Sequence, residues 1–161
     1  MRVRVTLVVV TVLAGLGIPW ATSVSQAGAS ATICSIETGA KVGAALGLKV
    51  TKASKDIQGS AVVCWYQVGA NPHAAYVRVQ THDTMAGYQV DLKTAKTYQE
   101  SPKSDSAFSP YPAFSTSIDS ATYGYTYSVT VLKKTTEVAV GATGTTLSKV
   151  TTLAKKVLLL V

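Results

Sequence analysis

The 161-residue chain is short of most of what catalysis uses. It has two histidines, His73 and His82, nine residues apart and without a flanking ligand motif, so no zinc-type ligand set is assembled. Two cysteines, Cys34 and Cys64, form neither a CxxC pair nor a Cys/His cluster, which argues against a metal or redox role. No Gly-x-Ser-x-Gly turn exists to raise a serine nucleophile. The eight acidic residues are scattered singly, with no paired-carboxylate signature. Gly39-Ala40-Lys41-Val42-Gly43 has glycines but not the order of a phosphate loop. No catalytic residue, metal ligand or cofactor site is therefore assigned. No run of lysines exceeds two, and nucleic-acid-binding motifs are missing. The net charge of +7 then reads as a solvated basic surface, or as contact with an acidic envelope polymer or lipid headgroup, and not as DNA binding.

What is present begins with a compartment. Met1-Arg2-Val3-Arg4 is basic, residues 5–18 are largely apolar, and Ser25-Gln26-Ala27 offers small residues at −3 and −1. This is the layout of a cleaved secretory signal over residues 1–27, with Ala29 as a second cleavage point. The apolar run is shorter than the roughly 20 residues of a membrane span, so no span is expected after cleavage. No Arg-Arg pair supports the twin-arginine route. Cys34 lies too far beyond the apolar core to take a lipid. Residues 28–33 are expected as a flexible mature N-terminus and 34–161 as one domain. In an oxidising compartment the two cysteines read as a disulfide. It would close a loop of about 30 residues and stabilise by about 3 to 4 kcal/mol.

Periodicity supplies the elements. Residues 37–46 read as a helix capped by Thr38, with Gly47 at C′. Strands are expected over 48–53, 60–68, 74–81, 112–118, 122–132 and 137–142. Asp83 or Thr84 caps a helix to about Tyr98, on which Met85, Tyr88, Leu92 and Ala95 repeat at helical spacing. Residues 99–112, with three prolines and four serines, read as a long mobile loop. Thr145 caps a last helix striped by Leu147, Val150, Ala154 and Val157. Strands arrive in hairpins, so the class is α+β: a single antiparallel sheet of about five to six strands with two to three helices packed on it. The halves repeat a pattern of three strands and a helix without sequence identity.

Tyr123, Tyr125 and Tyr127 fall on alternate residues, and Val129 and Val131 continue the row. Gly124, Thr126, Ser128 and Thr130 form the opposite face. An antiparallel strand with one covered face gives this pattern with no ligand, so the tyrosine face is expected under a helix. The competing reading is an exposed aromatic row for stacking sugars or lipid rings.

Three segments carry a resemblance. They are Cys34-Ser35-Ile36 leading into GAKVGAALG (39–47), Cys64-Trp65-Tyr66, and Asp119-Ser120-Ala121-Thr122-Tyr123, a degraded Gly-Asp-x-Ala-Tyr turn with Ile118 in place of Gly. Over residues 33–161 the chain resembles small exported proteins and lipoproteins of actinobacteria whose activity is unassigned, without their lipid-attachment cysteine. The resemblance implies a Cys34–Cys64 bond and a sheet fold similar to PsbP-like domains.

These readings converge on a secreted, non-enzymatic binding domain acting in or near the cell envelope. Its partner would be a small molecule, a lipid or an envelope protein. The expected surface lies between the sheet and the 99–112 loop. Trp65, Tyr76, Arg78 and Tyr111 are the candidates, as residues facing away from the helices. Two alternatives stay open: a secreted hydrolase with a site near His82 and Asp83, drawing in Asp119, and an interaction or inhibitor module that presents the 99–112 loop.

Overall fold

Strand 61–68 carries apolar side chains on both faces, and this doubly covered strand organises the fold. The computed structural model describes residues 32–98, 100–120, 122 and 124–161. The expected signal sequence, its cleavage points and Tyr123 lie outside these residues. Chain order is a helical segment over 32–36 (α1), α2 (Gly39–Leu46), β1 (Val50–Gln58), β2 (Ala61–Val68), β3 (Asn71–Thr81), α3 (Met85–Thr97), β4 (Lys103–Ser104), a 3-10 turn (Ser106–Phe108), β5 (Ala113–Ser120), β6 (Gly124–Lys133), β7 (Thr136–Thr143) and α4 (Leu147–Leu158). The strands form one sheet in the order β1-β2-β3-β7-β6-β5-β4, with every neighbouring pair antiparallel.

The α+β class and the single antiparallel sheet are as expected, and the counts rise to seven strands and four helices among the described residues. The added strand is β4, two residues inside the segment read as a loop, paired with Phe114 and Ser115. The added helix is α1, closed by the Glu37 N–H donating to the Ile33 carbonyl at 2.8 Å. Strand β1 also runs on past the strand expected over 48–53, pairing from Val50–Val68 to Gln58–Ala61. It is an exposed edge strand held by backbone bonds, so it needs no apolar side chains.

Caps explain most helix ends. The Thr38 hydroxyl accepts from the Lys41 N–H, and Gly47 turns left-handed at φ 70°, a conformation cheap for glycine. At the start of α3 the Thr84 hydroxyl accepts from the Gly87 N–H at 3.2 Å. The last helix departs from expectation: Thr146 takes the cap position without a side-chain bond. The Thr145 hydroxyl instead donates to the Leu46 carbonyl at 2.7 Å, satisfying an orphan acceptor at the end of α2.

Pairing register sorts side chains into two faces. Val62, Cys64, Tyr66, Ala75, Val77, Val79, Val129, Val131, Val138, Val140 and Ala142 share the first face and pack with Val42 and Leu46 of α2 and Val150, Leu153, Ala154 and Val157 of α4. This is the main core. The Cys34–Cys64 disulfide ties α1 to it, with Cα atoms 5.4 Å apart. The Tyr66 hydroxyl donates to the Glu37 carbonyl at 2.5 Å, and burial raises the phenol well above its ordinary pKa. The second face lies under α3, where Tyr88 and Ala95 meet Phe114 and Leu132 in a much smaller cluster.

Candidate functional site

Two depressions stand out, one on each face. The first is a groove of about 360 Å³ at the end of α4. Ala107, Phe108, Ser109 and Tyr111 form one wall, Leu158 and Leu159 the other, and Lys133 and Lys155 border it. The segment read as a mobile loop builds the first wall. Asp105 caps its 3-10 turn by accepting from the Ala107 N–H at 3.0 Å, and Phe108 is buried. Tyr111 N–H donates to the Phe108 carbonyl at 2.9 Å. The Lys133 ammonium donates to the carbonyls of Leu158 and Val161 at 2.9 and 2.7 Å. The Lys155 ammonium lies 5.7 Å from the centre of the Phe108 ring, a cation–π arrangement. Leu159 is 85% exposed beside the groove.

The second is a polar cleft of about 210 Å³ between α3 and the sheet. Cross-strand rows make its floor. Tyr76, Gly141 and Ser128 stand side by side in one row, and Arg78, Ala139, Thr130 and Phe114 in the next. Asp91, Thr94 and Ala95 of α3 and Glu100 close it above. The Tyr76 ring lies against Gly141, where any Cβ would collide with it. Its hydroxyl meets Ser128, and burial raises its pKa. Ser128 in turn shares a 2.7 Å hydrogen bond with Thr116. At the outer lip Trp65 packs on Tyr76 and His73, with ring centres 5.6 and 4.5 Å away.

Arg78 reaches three side chains. Its guanidinium contacts the Asp91 carboxylate at 3.2 Å and the Glu137 carboxyl at 3.4 Å, and donates to the Gln80 side chain. Glu137 is 0% exposed, and neither of its oxygens accepts a hydrogen bond. Burial foremost, and then the Asp91 carboxylate, push its pKa up to about 8, while Arg78 opposes the rise. Near neutral pH the Glu137 carboxyl therefore holds its proton beside Asp91.

The sequence candidates divide between these places. Trp65, Tyr76 and Arg78 come together on the second face, but Tyr76 and Arg78 lie under α3 instead of facing away from every helix. Tyr111 belongs to the groove at the other face. His82 and Asp83 do not converge with Asp119. The Asp83 N–H bonds the Thr135 carbonyl at one end of β6, whereas Asp119 pairs with Tyr125 at the other end, roughly 25 Å along the strand. Asp83 instead accepts from the Thr84 N–H at 2.8 Å at the start of α3. The tyrosine row passes out of the core along its length. Val131 and Val129 are buried, Tyr127 is partly buried against the core, and Tyr125 is 55% exposed and stacked on Tyr127. The hydroxyl face of β6 is covered as well, and becomes part of the cleft floor.

Glu137, Asp91, Ser128 and Glu100 were not singled out in the sequence. One signal pointed to the first: Glu137 is a lone acid in an otherwise apolar strand, EVAVGA. Among the described residues no helix is long and apolar enough to cross a membrane, and no group of three or more His, Cys, Asp or Glu side chains is placed to hold a metal. No protein-family model, curated protein or solved structure matches the chain.

Proposed function

We propose that the protein is an exported binding domain whose ligand is a small amphiphile with an apolar body and an anionic head, seated in the groove between residues 107–111 and the end of α4. The groove carries this reading. Its volume falls in the range of small-molecule sites, its walls are mainly apolar, and its charged border is two lysines. An acyl chain would cover Phe108, Leu158 and Leu159, and its carboxylate would lie against Lys155. The signal-like N-terminus and the disulfide support the compartment. The resemblance to exported actinobacterial proteins points the same way. The 99–112 segment is then a wall of the site and not a protruding contact, since Phe108 is turned inward.

Displacement of a fluorescent fatty acid by dodecanoate tests the reading on the mature protein. Saturable binding is expected, with competition by dodecanoate and none by dodecyltrimethylammonium. Leu159→Asp and Lys155→Glu alter exposed positions, so both variants should stay folded and each should weaken binding about tenfold, the effect of losing about 1.4 kcal/mol. Unchanged affinity in both, or equal competition by the cationic detergent, would refute the assignment.

A further inference from the structure

The two edges of the sheet are built differently. At one, β4 is only two residues long. At the other, β1 runs nine residues, Val50–Gln58, and every side chain from Thr51 onward is exposed. Strand β2 satisfies one side of its backbone. Among the described residues no strand pairs with the other side, whose outward N–H and C=O groups form a template for a further strand. Proteins ordinarily shorten, cover or interrupt an edge of this length. Lysines on an edge usually repel a second strand, and β1 has two, Lys52 and Lys55. It also has Asp56, held at the edge by the Gln58 amide, which donates to its carboxylate at 2.7 Å on the same face.

The order of these charges selects the partner. Two copies of β1 lying antiparallel are related by a two-fold axis perpendicular to the sheet, so residues equally far on either side of one central residue face each other. Centring on Lys55 or on Asp56 sets that charge against itself. Centring on Ala53 opposes Lys52 to Ser54 and Lys55 to Thr51, and pairs no charges. Centring on Ser54 sets Lys52 opposite Asp56 of the second copy, and symmetry repeats the pair. It also sets Lys55 opposite Ala53, a side chain small enough for the lysine stem to cover. All of these positions lie in the stretch from Lys52 to Gln58 that pairs regularly with β2, past the irregularity between Val50 and Lys52. We infer that β1 is a dimer interface, at which two copies of this chain join their sheets edge to edge about an axis at Ser54. The groove beside residues 107–111 lies toward the β4 edge and stays open, so the inference is independent of the groove's ligand.

Sedimentation equilibrium of the mature protein, from micromolar to near-millimolar concentration, tests this. A reversible monomer–dimer equilibrium is expected, with the modest strength of a small interface. Lys52→Glu and Asp56→Lys each put two like-charge pairs across the axis, and each should weaken the dimer about tenfold or more. Both side chains are exposed, so circular dichroism should show both variants folded. The double variant Lys52→Glu/Asp56→Lys reverses both charges and should restore the wild-type affinity to within about threefold. Within one copy the two positions lie roughly 13 Å apart along the strand, so no contact inside a single chain supplies that rescue. Lys134→Glu, at an exposed lysine between β6 and β7, changes the net charge equally and should leave the dimer as it is. Protein that stays monomeric at the highest concentration would overturn the proposal. So would single variants that dimerise like wild type, a double variant no better than the singles, or an equal loss with Lys134→Glu.

Discussion

The two faces of one sheet solve opposite problems with the same backbone. On the first face three central strands present Val77, Val79, Val129, Val131, Val138 and Val140, all fully buried beneath α2 and α4. On the second, the alternate residues of those strands are Tyr76, Arg78, Ser128, Thr130, Glu137 and Gly141, beneath a helix that buries only Tyr88 and Ala95. Dispersion and the hydrophobic effect hold the first face, and a few ionic contacts plus one small cluster hold the second. Stability is concentrated on one side, which leaves the other free to keep polar groups that a core would reject.

The contrast is sharpest between adjacent residues of β7. Glu137 is a buried carboxyl that the second face accommodates, while Val138 points into the core. Val138→Asp therefore moves a carboxyl one residue along the chain and across the sheet. It should cost more than 4 kcal/mol, with little folded protein recovered, as measured by urea unfolding. A mild effect would mean that the first face is not the main core.

Next in size is the disulfide, which serves the first face alone. The double variant Cys34→Ser/Cys64→Ser should lose about 3 to 4 kcal/mol in the same assay, because the unfolded chain regains the entropy of a 30-residue loop. Unchanged stability would show that packing of α1 does not depend on the staple.

A smaller, pH-dependent effect belongs to the second face. The folded pKa of Glu137 lies above its unfolded value, so the native state holds an extra proton between about 4.5 and about 8. Its contribution is fully present below the lower value and is lost as pH rises through the upper one. Wild-type stability should fall over this window by a few kcal/mol. Glu137→Gln should flatten the profile, matching wild type near pH 5 and exceeding it near pH 9. A wild-type profile without that slope would place Glu137 in a wetter site.

The smallest effect is expected at the groove. Leu159→Ser removes an exposed side chain and should change stability by no more than about 0.5 kcal/mol, while weakening the amphiphile. A large loss of stability would make Leu159 part of the core.

Much of the fold was legible because its signals are local. The hairpins β2–β3 and β6–β7 follow from alternation and turn residues. Thr38, Gly47 and Thr84 mark helix ends by chemistry that acts within a few residues. Exceptions arose where backbone pairing or a distant acceptor decided. Strand β1 is polar and forms because β2 supplies its hydrogen bonds. The Thr145 hydroxyl is drawn from its expected capping role to a carbonyl 99 residues away. The tyrosine row was legible as a strand face but not as a gradient, since only the placement of α2 and α4 determines how far cover extends along β6.

By itself the sequence determined the hairpins, the amphipathic stripe of α4 and the identity of the only disulfide two cysteines can make within one chain. Tertiary structure decided that β3 would lie against β7, setting Arg78 opposite Ala139, and that α3 would cross the same face. Those two choices alone bring Arg78, Asp91 and Glu137 together. Nothing within a few residues of any of them carries that information, because the pairing of β3 with β7 closes a loop of more than fifty residues and is selected by burial of the opposite, valine-lined face.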